Sequence, residues 1–333
     1  MPRDPVAVRL HVLEIPLREP FRTATGRIDR RTTVLVEIGT DVVGWGEAAP
    51  YPGQDETIGE LMSLAREGIA TATVAAAINE AMSDRGALLA GDSLLPSTTT
   101  TVPVSVSVGI DGALDRVEML LEQGIRAFKV KVAPGETRHL GAIRDRYSDI
   151  TLGVDGNRSF PALADDDRSA LTEAGLAYIE EPFSDWESPD AMSFADTGGI
   201  PMFADETAAT IDGALRALDM PSVAGVTVKP GRLGWSGALA VVEAATRLGK
   251  QWRASGLIET GIGRAYTDLL ASDPTAFISD VAPAELFLRA DVTASRFAGG
   301  VMRVPSGPGL GVVPDPDLLA AYRTDLIEVE IVT

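Results

Sequence analysis

Residues 127–132 read AFKVKV, 151–157 TLGVDGN, 176–182 LAYIEEP, 201–207 PMFADET and 224–231 AGVTVKPG. Each stretch is a short apolar run that ends abruptly in charge. The charges are Lys129 and Lys131, then Asp155, Glu180, Asp205 and Lys229. From Lys131 the steps to Asp155, Glu180, Asp205 and Lys229 are 24, 25, 25 and 24 residues. A step of that size is one strand plus one helix and their two loops. Further runs at 103–108 (PVSVSV), 252–254 (WRA) and 276–279 (AFIS) extend the series on both sides. The expected fold class is α/β, with eight such units closing into a (β/α)₈ barrel over residues 101–291.

Upstream the texture differs. Residues 5–15, 33–38 and 42–47 alternate apolar and polar side chains, as strands with one buried face do. Residues 56–88 are alanine-rich with helical periodicity, and 92–101 (DSLLPSTTTT) reads as a linker. Residues 1–100 are therefore expected to form an α+β N-terminal domain that caps the barrel. The glycine- and proline-rich C-terminal segment, about 292–333, is expected to pack back on it.

Composition narrows the chemistry. The 333 residues contain no cysteine, which excludes disulfides, zinc–thiolate sites and Cys nucleophiles. The only histidines are His11, in an alternating segment, and His139, in a polar helical one, so a Ser-His-Asp triad is not expected. A net charge of −19 argues against nucleic acid and anionic membranes as partners. Met1 to Pro16 lack a signal-peptide core, and no apolar run reaches spanning length, which suits a cytoplasmic protein. No interface signal stands out, which leaves a homo-oligomer open.

In a barrel of this kind the active site lies at the C-terminal strand ends. Asp155, Glu180 and Asp205 would there face one another at equal height, flanked by Lys131 and Lys229. Converging carboxylates repel unless a cation sits among them, and an all-oxygen donor set favours Mg²⁺, with Mn²⁺ as the alternative. A lysine beside a divalent cation and a second ammonium has its pKa lowered, which fits it as a general base. A carbon acid next to a carboxylate would then be deprotonated to an enediolate whose charge falls on the metal. The substrate expected is a small anionic carboxylate.

Other residues stand near this set. Lys129 shares a strand face with Lys131. Asn157 lies two after Asp155. Glu181 and Glu206 point away from the ligand positions, and Glu180 is preferred over Glu181 because it comes first after the apolar run. Ser255 to Gly261 (SGLIETG) leads into a helix, and Gly261 and Gly263 leave backbone N–H groups open to an anion.

As a set, these motifs resemble the enolase superfamily and, within it, the muconate lactonizing enzyme subgroup. The likeness covers nearly the whole chain. It rests on K-x-K at 129–131, D-x-N at 155–157, E-E-P at 180–182, D-E at 205–206 and K-P-G-R at 229–232. Pro20-Phe21-Arg22-Thr23, Gly26 and Gly44-Trp45-Gly46-Glu47 are similar to that family's capping domain. The resemblance implies Lys131 as base, Lys229 opposite it, and Asp155, Glu180 and Asp205 on Mg²⁺. It also implies that the loop around Phe21, Thr23 and Gly26 closes over the distal part of the substrate. No histidine suits the mandelate racemase pattern, and Asp280-Val281-Ala282 lacks the Asp-x-Asp of dipeptide epimerases. The segment Glu259-Thr260-Gly261-Ile262-Gly263-Arg264-Ala265 resembles o-succinylbenzoate synthases and N-succinylamino acid racemases, and Arg232 the racemase-capable branch. The expected activity is therefore o-succinylbenzoate synthesis, a dehydration in menaquinone biosynthesis. The alternatives are N-acylamino acid racemisation or epimerisation, muconate-type cycloisomerisation, or an inactive barrel acting as a binding protein.

Overall fold

The computed structural model describes residues 5–23, 26–52 and 55–332. The chain opens with a long antiparallel hairpin, β1 (Pro5–Thr23) and β2 (Gly26–Ile38), to which β3 (Gly44–Ala48) adds on the β2 side. Both faces of this sheet are buried, against different partners. Val8, Leu10, Val12, Val34, Val36 and Ile38 pack under two helices, α1 (Ile58–Arg66) and α2 (Ala72–Ala90). Leu13, Ile15, Leu17 and Leu35 belong to the core of the barrel. The alternation in the sequence thus serves two cores at once. Thr57 and Glu60 make a capping box on α1, and Gly91, at φ 75°, ends α2.

The close seating of α2 on β3 depends on two glycines. A Cβ on Gly44 would come 2.1 Å from the Ala81 carbonyl oxygen, and one on Gly46 2.1 Å from that of Ala77. Backbone lies where the methyl would go, so the helix must move. Gly46→Ala is expected to cost about 1–3 kcal/mol, as overpacking does. A denaturant midpoint unchanged from that of the parent chain would sink this account.

Beyond the linker, β4 (Thr101–Pro103) is followed by seven parallel strands lying side by side in sequence order. They alternate with helices: β5 (Ser105–Val108), α3 (Ala113–Leu121), β6 (Ala127–Lys131), α4 (His139–Arg146), β7 (Thr151–Asp155), α5 (Asp165–Glu173) and β8 (Tyr178–Glu180). The series continues with α6 (Pro189–Thr197), β9 (Met202–Ala204), α7 (Ile211–Asp219), β10 (Gly225–Val228), α8 (Pro230–Arg247), β11 (Gln251–Ala254) and α9 (Gly261–Ala271). The eighth run differs from the expectation: 276–279 is not a regular strand. Residues 277–281 nevertheless bridge the gap. Phe277 and Asp280 donate backbone hydrogen bonds to Trp252 and Ala254 (2.8 Å each), and Ser105 donates to Val281 (3.1 Å). The first run, 103–108, is divided. Only 105–108 enters the barrel, while β4 pairs with β13 (Val301–Arg303), which itself pairs with β12 (Phe297–Ala298).

After α10 (Pro316–Tyr322), β14 (Arg323–Val332) lies antiparallel on β1. The two parts of the chain are also joined through α2 and α8. The Asn79 side-chain oxygen accepts the Ser236 backbone N–H (2.9 Å), just past the break in α8 at Gly234, whose φ is 70°. Among the described residues no helix is long and apolar enough to cross a membrane.

Candidate active site

Strand register sets the charged residues side by side. Lys131 is opposite Asp155, and Asp155 opposite Glu180. Asp205 directly follows β9 and Lys229 directly follows β10. Lys131 Nζ lies 2.7 Å from Asp155 Oδ2, and Lys229 Nζ 2.6 Å from Asp205 Oδ2. The row of carboxylates therefore has one ammonium at each end. Above it opens a cavity of about 220 Å³ to which the barrel contributes Lys131, Asp155, Asp205 and Lys229, and the N-terminal domain Tyr51.

The two lysines of the K-x-K motif occupy different environments. The Lys131 side chain is 37% exposed, that of Lys129 only 5%. Lys129 sits beneath the row, bonded to Glu180, 2.9 Å from Asp280 and 3.6 Å from Asp155. Burial pulls its ammonium down, but the charges of Asp280, Glu180 and Asp155 outweigh that and hold its pKa well above the usual lysine value. The same ion cluster holds Glu180 well below the carboxylate range: burial pushes it up, and Lys129, Arg253 and Lys229 more than reverse this. Lys129 is thus locked as a cation; both lysines line the cavity, but Lys131 is by far the more exposed. The lowered pKa expected for Lys131 is the effect of a bound cation, and the Asp155 carboxylate by itself acts the other way. Burial and the Lys129 charge depress it, but the Asp155 carboxylate in contact holds it above the ordinary value.

Arg253, not singled out by the sequence, and Asp280, noted there only for the Asp-x-Asp motif it does not complete, both belong to this cluster. Arg253 is fully buried, bonds Glu180, and donates to the Tyr178 hydroxyl (2.8 Å). The signal for it was an arginine inside the apolar run 252–254, where only an inward charge with partners is tolerable.

Glu180 and Glu181 separate cleanly. Glu180 points into the barrel toward Lys129, Arg253 and Thr227, whose hydroxyl lies at 2.7 Å. Glu181, at φ 37°, points the other way and accepts from the backbone N–H groups of Asp205 (2.6 Å) and Thr207 (3.2 Å), from the Thr207 hydroxyl, and from Arg158. It fixes the following strand end.

Asn157 is a bridge. Its Oδ1 accepts from Lys131 Nζ and its Nδ2 donates to Glu206 (2.9 Å), which orients the amide. Ser255 lines the cavity and is buried. Arg232 instead lies 3.4 Å from Asp55 of the N-terminal domain, and Asp55 accepts the Tyr51 N–H (2.7 Å). Phe21 and Thr23 are placed as backbone, paired with Ile28 and Gly26; their side chains lie outside the described residues.

The helix start at 259–263 is not an open anion site. Glu47 of β3 fills it, accepting from the Thr260 N–H (2.9 Å), the Thr260 hydroxyl (2.6 Å) and the Gly263 N–H (2.9 Å). Asp291 accepts the Gly261 N–H at 2.9 Å. Carboxylates at the positive end of α9 are favoured there, and these come from the chain itself. Thr260 is consequently a helix cap with no exposure, and Glu259 pairs with Arg264 at 3.2 Å. Neither lines the cavity, against the expectation that they help to bind substrate.

The donor set suits a hard divalent cation. As they stand, no three acidic or histidine side chains among the described residues are gathered closely enough to hold one, since each carboxylate of the row is turned onto an ammonium. One oxygen is left over: Glu206 Oε2 is buried without a hydrogen-bond partner. Its carboxyl is pushed up to about 7 by burial and by the charges of Asp205 and Asp155. Negative charge is in excess at this corner, and the donors are all oxygens at neighbouring strand ends. Mg²⁺ or Mn²⁺ fits that chemistry.

Comparison with known proteins bears on the same region. A model of the enolase C-terminal domain-like family matches residues 113–318. The N-succinylamino acid racemase of an Amycolatopsis species is 31% identical, with 95% of this chain and 97% of that protein covered. The o-succinylbenzoate synthase of Bacillus subtilis is 27% identical, covering 96% of each. Among solved structures, a muconate lactonizing enzyme from Mycobacterium smegmatis, complexed with muconolactone, superposes with a TM-score of 0.85. It is 26% identical over 98% of this chain and all of that one.

Proposed function

The chain belongs to the enolase C-terminal domain-like family, and from that premise we propose that it is a divalent-metal-dependent enzyme that takes the proton α to a carboxylate. The reaction proposed is the dehydration of 2-succinyl-6-hydroxy-2,4-cyclohexadiene-1-carboxylate to o-succinylbenzoate, a step of menaquinone biosynthesis. The observation that carries the reading is the pair of lysines at the two ends of one carboxylate row, both lining one cavity.

Asp155, Glu180 and Asp205 would hold the metal. When bound, a Mg²⁺ ion there supplies positive charge for the substrate carboxylate and for the charge that deprotonation puts on it. Lys131, in its free-base form, receives the α-proton. The electron pair of the C–H bond becomes the new ring double bond and the C–O bond to the neighbouring hydroxyl breaks. The proton held on Lys131 Nζ joins the departing hydroxide, so one water is lost and Lys131 is regenerated. Lys229 keeps its proton and faces the ring from the other end of the row. Asn157, fixed by Glu206, would keep an acceptor beside Lys131 Nζ were Asp155 to hold the metal.

A second reading has its own support. Lys131 and Lys229 each contact one aspartate, at 2.7 and 2.6 Å, and the Amycolatopsis relative is an N-succinylamino acid racemase. Racemisation uses two equivalent bases, one for each enantiomer. Dehydration needs only one.

The test is an ultraviolet assay of the dehydration beside polarimetry on N-succinylamino acids, each with Mg²⁺ and with EDTA. Dehydration that EDTA stops and Mg²⁺ restores is the expected result. Racemisation alone would move the chain to the second reading. Turnover that persists after exhaustive chelation would overturn the metal-dependent mechanism in both forms.

A further inference from the structure

A second cavity, of about 570 Å³, lies toward the opposite end of the barrel. It is walled by the linker residues Ser93–Thr100 and by the returning segment 296–311. It shares no lining residue with the candidate active site. β4, which follows the linker, enters β5 from its N-terminal end, whereas the C-terminal end of β5 lines the catalytic cavity.

Its chemistry runs against that of the chain. The protein carries a net charge of −19, yet no acidic residue lines this cavity and two arginines, Arg296 and Arg303, do. They stand opposite each other on the β12–β13 hairpin. Phe297 faces Met302 and Ala298 faces Val301, so the next pair outward is Arg296 with Arg303, joined by the Arg303 N–H to Arg296 carbonyl bond (2.9 Å). Like charges directly across a hairpin are unfavourable. Arg296 is partly neutralised from behind by Asp268, 2.7 Å away and buried. Arg303 is exposed and has no carboxylate partner among the described residues. The rest of the wall supplies hydroxyls, notably Thr99, Thr100 and Ser306, over an apolar floor of Leu95, Pro96, Val304 and Pro305.

We propose that this cavity binds a small metabolite carrying an oxyanion, a phosphoryl or carboxylate group, with Arg303 gripping the anion, the charge of Arg296 beside it, and the threonine and serine hydroxyls completing its shell. Arg303 offers the free planar fork of donors, whereas Arg296, with Nη2 on Asp268 and Nη1 on the Arg303 carbonyl (3.4 Å), adds its charge from behind. The volume exceeds that of a bare ion, and the apolar floor takes a short carbon skeleton. Because the walls are the linker and the returning C-terminal segment, the ligand bridges the two parts of the chain on which the capping domain is hung.

The experiment is calorimetric titration of the full chain with inorganic phosphate and, separately, with succinate, at constant ionic strength. The wild type, Arg303→Ala and Lys131→Ala are compared, and circular dichroism checks that each is folded. Saturable binding of at least one probe is expected, equal in the wild type and in Lys131→Ala, and weakened about ten-fold or more in Arg303→Ala, as loss of a charge-assisted contact requires. Which probe binds tighter identifies the anion as phosphoryl or carboxylate. Binding lost in Lys131→Ala would place the anion in the catalytic cavity and overturn the proposal. So would binding indifferent to Arg303→Ala, or no saturable binding of either probe by the wild type.

Discussion

Lys131→Arg is expected to lower turnover by about 10²–10⁴-fold, the usual worth of a general base, while leaving the fold intact. Arginine keeps the positive charge that Asp155, 2% exposed, requires at 2.7 Å, but it stays protonated and cannot receive the α-proton. Lys131→Ala removes the base as well, but it also strips Asp155 of its partner, so loss of activity there mixes two effects. Lys229→Arg separates the two proposed reactions. In a racemase each variant keeps one base, so it still exchanges the α-proton of one enantiomer of an N-succinylamino acid with D₂O and not that of the other. The loss should swap enantiomers between the Lys131 and Lys229 variants. In a dehydratase the Lys131 variant alone loses proton removal. Proton NMR of each variant on each enantiomer reads this directly. Full activity in Lys131→Arg would end the assignment of Lys131 as base.

The sequence made this site legible because a barrel repeats. A charge at the end of one apolar run says little, but charges at steps of 24 and 25 residues are forced to one rim. What the period could not convey was side-chain partnership. Arg253 follows Lys229 by 24 residues, one more step of the same size, but it lies inside β11 rather than beyond its end, and its contacts with Glu180 and Tyr178 span 73 and 75 residues. Glu47 reaches the start of α9 across 213 residues. From the sequence that helix start looks open to a substrate anion, since nothing local reveals that the other domain supplies the carboxylate. The eighth barrel segment was legible as an apolar run but not as an irregular one. Its hydrogen bonds are satisfied by its two neighbours, β11 and β5, without a repeating ladder. Glu180 and Glu181 adjoin, and only the turn of the backbone at Glu181, φ 37°, sends their carboxylates to different sides.

The largest expected effect on stability lies under the site rather than in it. Lys129→Met is expected to destabilise the metal-free chain by about 3–5 kcal/mol, the cost of leaving a buried ionic partner uncompensated. Methionine roughly matches the lysine stem in volume, so little of the loss comes from a cavity. It comes from Glu180 and Asp280, which then share Arg253 as their only deeply buried cation among the described residues. Asp155, 3.6 Å from the missing ammonium, keeps Lys131. The loss should be read as a shift in denaturant midpoint at constant slope. It should shrink when Mg²⁺ is added, if Glu180 and Asp155 are metal ligands, because the ion binds the folded chain alone and more tightly where a competing ammonium has gone. Stability indifferent to Lys129→Met would mean that Arg253 alone neutralises this floor. A Mg²⁺ effect no larger in the variant than in the parent chain would mean that Lys129 and the metal do not compete for the same carboxylates.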